Sequence, residues 1–133
     1  MTDPFDLQRF VDAQDPVFEQ VCRELADGRK RSHWMWFIFP QLRGLGHSPT
    51  AVRFAISGRA EAAAYLQHPL LGARLDQCCR LVSFVQGRTA EQIFGYPDTL
   101  KLQSSMTLFA QAAPSNPAFP EILQKYFAGS VAV

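Results

Sequence analysis

Apolar residues recur along this sequence at helical spacing, and eight glycines and nine prolines cut the recurrence into short pieces. Over residues 16–28, Val17, Val21, Cys22 and Leu25 share one face, while Glu19, Gln20, Arg23 and Asp27 take the other. Asp15 followed by Pro16 predicts a cap and a first helical position, and Gly28 predicts the stop. Further helices are expected over 5–14, 59–67, 69–86, 89–94, 98–113 and 119–127. Another starts at Ser48 and Pro49, carries Val52, Phe54, Ala55 and Ile56, and ends at Gly58. Period-two alternation of β-branched residues is nearly absent, so no sheet is expected. The pattern predicts an all-α fold of about seven or eight short helices in a single compact domain over 1–133, not a simple four-helix bundle.

The length permits this. A chain of 133 residues buries about two-thirds of the surface its unfolded form exposes, enough for a core without disulfides or a structural metal. Thirteen Lys+Arg against twelve Asp+Glu leave a charge of +1, which argues against a nucleic-acid partner or an anionic membrane surface. No apolar run approaches a membrane span, and the start, MTDPFDLQRF, lacks the pattern of a signal peptide. Cys22, Cys78 and Cys79 are an odd set with no second pair at zinc spacing. They read as three small core residues of a cytoplasmic protein.

Three segments depart from plain core. In KRSHWMWFIFPQLRGLG, Trp34, Met35, Trp36, Phe37, Ile38 and Phe39 are consecutive, so a single helical stripe does not hold them all. The segment is either a fully buried centre or a pocket wall. As a wall, an indole would stack on a planar ligand while His33, Gln41 and Arg43 supply polar contacts. In 98–113, Leu102, Met106, Leu108 and Phe109 form an apolar arc that also contains Asp98, Lys101 and Ser105, with Ser104 at its edge. Either Asp98 caps the helix and pairs with Lys101, or Lys101, Ser104 and Ser105 form a polar floor for an anion or a nucleophilic hydroxyl. In the long helix, Arg74 falls within the apolar face and requires a partner. Asp98 is one candidate; the alternative is that Arg74 joins Lys101 on a phosphate or carboxylate.

The remaining signals are weaker. The triplet Arg29, Lys30 and Arg31 reads as a solvated turn at a helix end, and His68 before Pro69 as a cap. His33, His47 and His68 have no companions at ligand spacing, so no metal is expected. No phosphate-binding loop, nucleophile elbow or dinucleotide fingerprint is present, so no cofactor is expected.

Four stretches, DLQRFVDAQ, SHWMWFIFPQLRGLG, HPLLGARL and IFGYPDTLKLQSSMTLF, run the length of the chain. In them it resembles the domain of unknown function 1810 family of small, mostly bacterial proteins. The resemblance implies a mainly α-helical fold and no assigned activity. It directs attention to His33, Trp34, Trp36, Gln41, Arg74, Asp98, Lys101, Ser104 and Ser105.

Two functions follow as expectations. The first is a polar pocket for a small anionic planar molecule, nucleotide-like, held by Lys101 and Arg74 and stacked on Trp34 or Trp36. Any hydrolysis or group transfer would use His33 as general base, because imidazole titrates near neutrality, with Ser104 or Ser105. The second is a protein-interaction module without catalysis, presenting an apolar patch at Phe119, Tyr126 and Phe127.

Overall fold

The helix ends follow local chemistry. In the computed structural model, which describes residues 2–131, α1 spans Gln8–Gln14 and α2 Phe18–Ala26. Gly28 stops α2 at φ 72°, where a left-handed backbone suits glycine. There the Gly28 N–H bonds the Leu25 carbonyl and the Arg29 N–H reaches back to that of Glu24, both at 3.0 Å. Asp15 does not cap α2: it ends α1 in right-handed helical geometry, Val17 precedes α2 without a side-chain cap, and the Asp15 carboxylate goes instead to Arg74.

The aromatic segment adds a helical turn of its own, α3 at Met35–Ile38. α4, Pro49–Arg53, is capped by Ser48, whose Oγ accepts the Ala51 N–H. The predicted continuation to Gly58 does not form. Past Arg53 the chain extends, and the Arg43 N–H and Ile56 N–H bond the Ile56 and Gln41 carbonyls at 2.8 and 2.9 Å, around one parallel bridge between Leu42 and Ile56. Extension satisfies those backbone groups and buries Phe54 and Ile56, whereas the α4 helix itself buries no residue. The remaining helices are α5 Arg59–Gln67, α6 Leu71–Phe84, α7 Ala90–Phe94, α8 Asp98–Ala112 and α9 Ala118–Phe127. Thr89 and Gln92 cap α7 reciprocally. The His68 Nδ1 accepts the N–H groups of Leu70 and Leu71 ahead of α6, as its position before Pro69 suggests. Among the described residues there are nine helices and no strand.

α8 lies across the centre, packed on α5 and α9; α6 packs on α9, α2 and α5. A line of rings threads this core. Phe10 meets Tyr65 edge-on at 5.1 Å, Tyr65 meets Phe109 at 5.4 Å, and Phe109 meets Phe119 at 5.7 Å. Each such pair contributes about 0.5–1.5 kcal/mol beyond its buried area. The line ties α1, α5, α8 and α9 together.

The patch expected at Phe119, Tyr126 and Phe127 is not on the surface. Phe119 is buried, and Tyr126 and Phe127 are half-buried against the core. The Tyr126 hydroxyl donates to the Val82 carbonyl, and Lys125 Nζ donates to those of Ser83 and Val85, all at 2.6 Å. These carbonyls lie at the C-terminal end of α6, so the tip of α9 closes that helix. Among the described residues no helix is long and apolar enough to cross a membrane.

Candidate functional site

The two tryptophans of the aromatic segment lie on either side of Met35 and enter different surroundings. Trp34 is buried, and its Nε1–H donates to Glu24 at 3.0 Å. Glu24 is itself fully buried on α2 and accepts four more bonds, from the backbone N–H groups of Arg31 and Ser32, the Ser32 hydroxyl and the Gln20 amide. Burial pushes its pKa up, but these donors outweigh burial and hold the carboxyl at about 2. Trp34 is therefore a structural tryptophan. Lys30 lies over its ring, with Nζ 5.2 Å from the ring centre.

Trp36 opens on the other side. It lines a cleft of about 490 Å³ together with Gln41, His47, Ser48, Lys101 and Ser104, and the apolar flank is formed by Leu45, Ala51, Pro97 and Leu100. Three stretches meet here: α3, the loop into α4, and the first turns of α8. The loop lies close because Gly46 has no side chain; a Cβ there would stand 2.7 Å from the Ala51 Cβ. Leu45 and Leu100 keep about half their surface exposed (50% and 49%), so the cleft has an apolar rim.

Lys101 is the one permanently charged side chain among the described residues lining the cleft. Its Nζ lies 4.8 Å from the Trp36 ring centre and 3.2 Å from Asp98 Oδ1. The other oxygen, Oδ2, pairs with Lys30 at 3.0 Å, and the Lys30 side chain is only 9% exposed. The triplet read as a solvated turn therefore contains a buried cation. Its backbone N–H bonds the Ile93 carbonyl of α7 at 2.7 Å, which draws the residue inward. Two ammonium groups thus share one carboxylate, leaving an uncompensated positive charge beside Trp36. An anion 4 Å from that charge gains about 4 kcal/mol of gross Coulomb energy at the effective dielectric of a protein surface.

The predicted site residues divide accordingly. Trp36, Gln41, Lys101 and Ser104 line the cleft, and Asp98 holds Lys101 from behind. Asp98 does this without capping α8, which has no side-chain cap. The others lie elsewhere. His33 is exposed and does not line the cleft. Ser105 faces the core, with a buried hydroxyl that makes no hydrogen bond. Arg43 lines a separate concavity with Arg9, Arg53 and Glu61.

Arg74 pairs with Asp15 at 2.8 Å, not with Asp98. It also donates to the Gln14 amide oxygen at 3.3 Å and lies over the Phe18 ring. It is a partnered cation of the α1–α2–α6 junction and does not join Lys101.

Sequence reasoning missed His47, Ser48 and Lys30 as neighbours of the site. Gly44 and Gly46 ahead of the Ser48–Pro49 helix start were the available signal, since such a loop can approach other backbone closely. Nothing in the pattern signalled Lys30. Among the described residues no group of three His, Cys, Asp or Glu could hold a metal ion.

The comparisons with known proteins agree with the resemblance carried by the four stretches. A family described as "Protein of unknown function (DUF1810)" matches residues 4–132. The chain belongs to the DUF1810 family. One solved structure similar to this DUF1810 chain is that of the conserved hypothetical protein Rv1873 from Mycobacterium tuberculosis. The two share 63% identity over 97% of this chain and 92% of that one, with a TM-score of 0.96. No curated protein matches the chain.

Proposed function

We propose that this protein binds a small planar anion, nucleotide-like in character, in the cleft between Trp36 and Lys101. The observation that carries this reading is the shared carboxylate: Lys30 and Lys101 both pair with Asp98, and the surplus charge lies beside an indole. The ligand's anionic group would engage Lys101, and its planar part would lie along Trp36 and the apolar rim of Leu45 and Leu100. Gln41 and the Ser48 hydroxyl, which is free to donate because its oxygen already accepts from Ala51, would read polar edges. Hydrolysis or group transfer on such a ligand would draw on His47 in place of His33, since His47 lines the cleft, with Ser104 as the nearby hydroxyl. Three free cysteines suit the cytoplasm as its location.

The test is a thermal-shift screen of wild type and Lys101→Ala against nucleotides, sugar phosphates and nucleotide-derived metabolites. A ligand at ~100 times its Kd stabilises the fold by about 2.7 kcal/mol, a Tm rise of several degrees at this size. The expected result is a shift in wild type that Lys101→Ala loses while keeping its ligand-free unfolding transition. No shift with any of these anions, or an equal shift in both proteins, overturns the reading.

A further inference from the structure

Arg43 does not join the tryptophans, and the concavity it lines instead has a distinct chemistry. About 390 Å³ in volume, it opens between residues 4–6, the end of α4 and the first turn of α5. Its lining includes a closed ion pair. Arg9 on α1 donates to the carbonyls of Phe5, Asp6, Arg53 and Ala55 at 2.6, 2.8, 2.8 and 2.9 Å. It also donates to Glu61 Oε2 at 2.9 Å, so all the N–H groups of its fork are used. The other Glu61 oxygen accepts the Ser57 N–H and hydroxyl at 2.9 and 2.8 Å. The Arg9 and Glu61 side chains are almost entirely buried, and their charges cancel. This pair is frame.

Arg43 and Arg53 line the same concavity and are not used in this way. Among the described residues no carboxylate lies within ion-pair distance of either. The Arg53 guanidinium lies over the Phe54 ring, 5.2 Å from its centre, a contact made through its face that leaves the N–H edges open. The backbone fixes where both side chains start: the Arg43 N–H bonds the Ile56 carbonyl at 2.8 Å, and the Arg53 carbonyl holds Arg9. Asp6 also lines the concavity and opposes an anion there, but three guanidinium groups against Asp6 and Glu61 still leave a positive surplus. No lining residue is shared with the cleft at Trp36, and no indole is present to take a planar ring. Guanidinium forks match the oxygens of a phosphate, two N–H groups to two oxygens. We propose that Arg43 and Arg53 form a second anion site, which binds a compact phosphate: the free ion or the phosphate group of a small ester.

This site needs nothing from Trp36 or Lys101, so it stands or falls separately from the nucleotide-like ligand. The experiment titrates the full chain with inorganic phosphate and with glycerol phosphate at constant ionic strength, and follows the backbone amides by NMR. The amides of Arg43, Val52, Arg53, Ala55 and Ser57 should shift and saturate, while sodium chloride leaves them in place. Saturation with both anions assigns the site to phosphate esters as well as the free ion; saturation with inorganic phosphate alone assigns it to the free ion. Arg43→Gln and Arg53→Gln replace exposed side chains, and each should weaken binding about tenfold through the loss of one charge-assisted pair. Lys101→Ala should bind phosphate here as wild type does. The wild-type titration keeps the proposal testable even where a variant folds poorly. It is overturned by the absence of saturable shifts with either anion, or by equal shifts beside Arg29, Arg59 and Arg88. Unchanged affinity in both arginine variants, or loss of these shifts in Lys101→Ala, overturns it as well.

Discussion

Glu24 and Asp98 are both withdrawn from solvent, and the contrast between their surroundings separates frame from site. Glu24 receives five donors, and none of them is a charged side chain. Its hydrogen-bonding capacity is filled and its charge is screened by fixed dipoles, so the Trp34 side is closed to further chemistry. Asp98 receives two ammonium groups, and one carboxylate does not neutralise both. The Trp36 side therefore keeps a charge for which the described residues supply no counter-ion, next to a cleft. Trp34 and Trp36, separated by one residue, report the same division: one indole is anchored, the other lines open space.

The largest effect that would break this division is at the tryptophans. Trp34→Ala should destabilise the fold by about 3–5 kcal/mol in urea unfolding, as expected for a large buried aromatic. Trp36→Ala should cost far less stability and remove ligand-induced stabilisation instead. If both cost the same, the division between frame and site fails.

Next in size is acid sensitivity. The folded Glu24 carboxyl lies at about 2 against an ordinary value of 4.5, so its contribution is fully present above the ordinary value and lost as pH falls toward 2. That loss amounts to about 3 kcal/mol. Unfolding free energies measured from pH 6 to 2 should show the slope, and Glu24→Gln should lack this share of it.

A smaller change sharpens the other side. Lys30→Gln leaves Asp98 to Lys101 alone, so the surplus charge disappears although Lys30 does not line the cleft. Anion affinity should weaken about fivefold, roughly 1 kcal/mol, by calorimetry. An unchanged affinity would show that Lys101 acts without regard to its neighbour. The smallest effect is at adjacent serines. Ser105→Ala removes a buried hydroxyl without a partner and should stabilise the fold by up to about 1 kcal/mol. Ser104→Ala should leave stability unchanged and alter binding.

The helices were legible because their signals are local. Gly28, the Ser48–Pro49 pair and the Thr89–Gln92 box act within a few residues of where they stand, and α2 and α9 follow apolar periodicity directly. The aromatic run was legible as an anomaly, and its division was legible only as alternation about Met35. Lys101 inside an apolar arc pointed to the cleft, because a cation on such a face demands an explanation. What sequence did not reveal was pairing at a distance. Arg74 required a carboxylate and Asp98 was its candidate; that Asp15 takes this place emerges only once the end of α1 meets Arg74 of α6. Lys30 looked solvated beside Arg29 and Arg31, and the backbone bond to Ile93 is what turns it inward. The extension after Arg53 depended on Leu42, more than ten positions earlier, which no local pattern records.

That extension gives the molecule a built-in reporter. Two amide hydrogens, those of Arg43 and Ile56, fasten the ends of the segment that carries Leu45, Gly46, His47 and Ser48. They exchange with deuterated solvent only when this segment lifts, an event of lower free energy than unfolding the helical core. A molecule that settles in the cleft would slow those two exchange rates together while leaving the amides of α6 and α9 untouched. Occupancy would thus be recorded in the backbone even for a ligand with no chromophore and no detectable turnover.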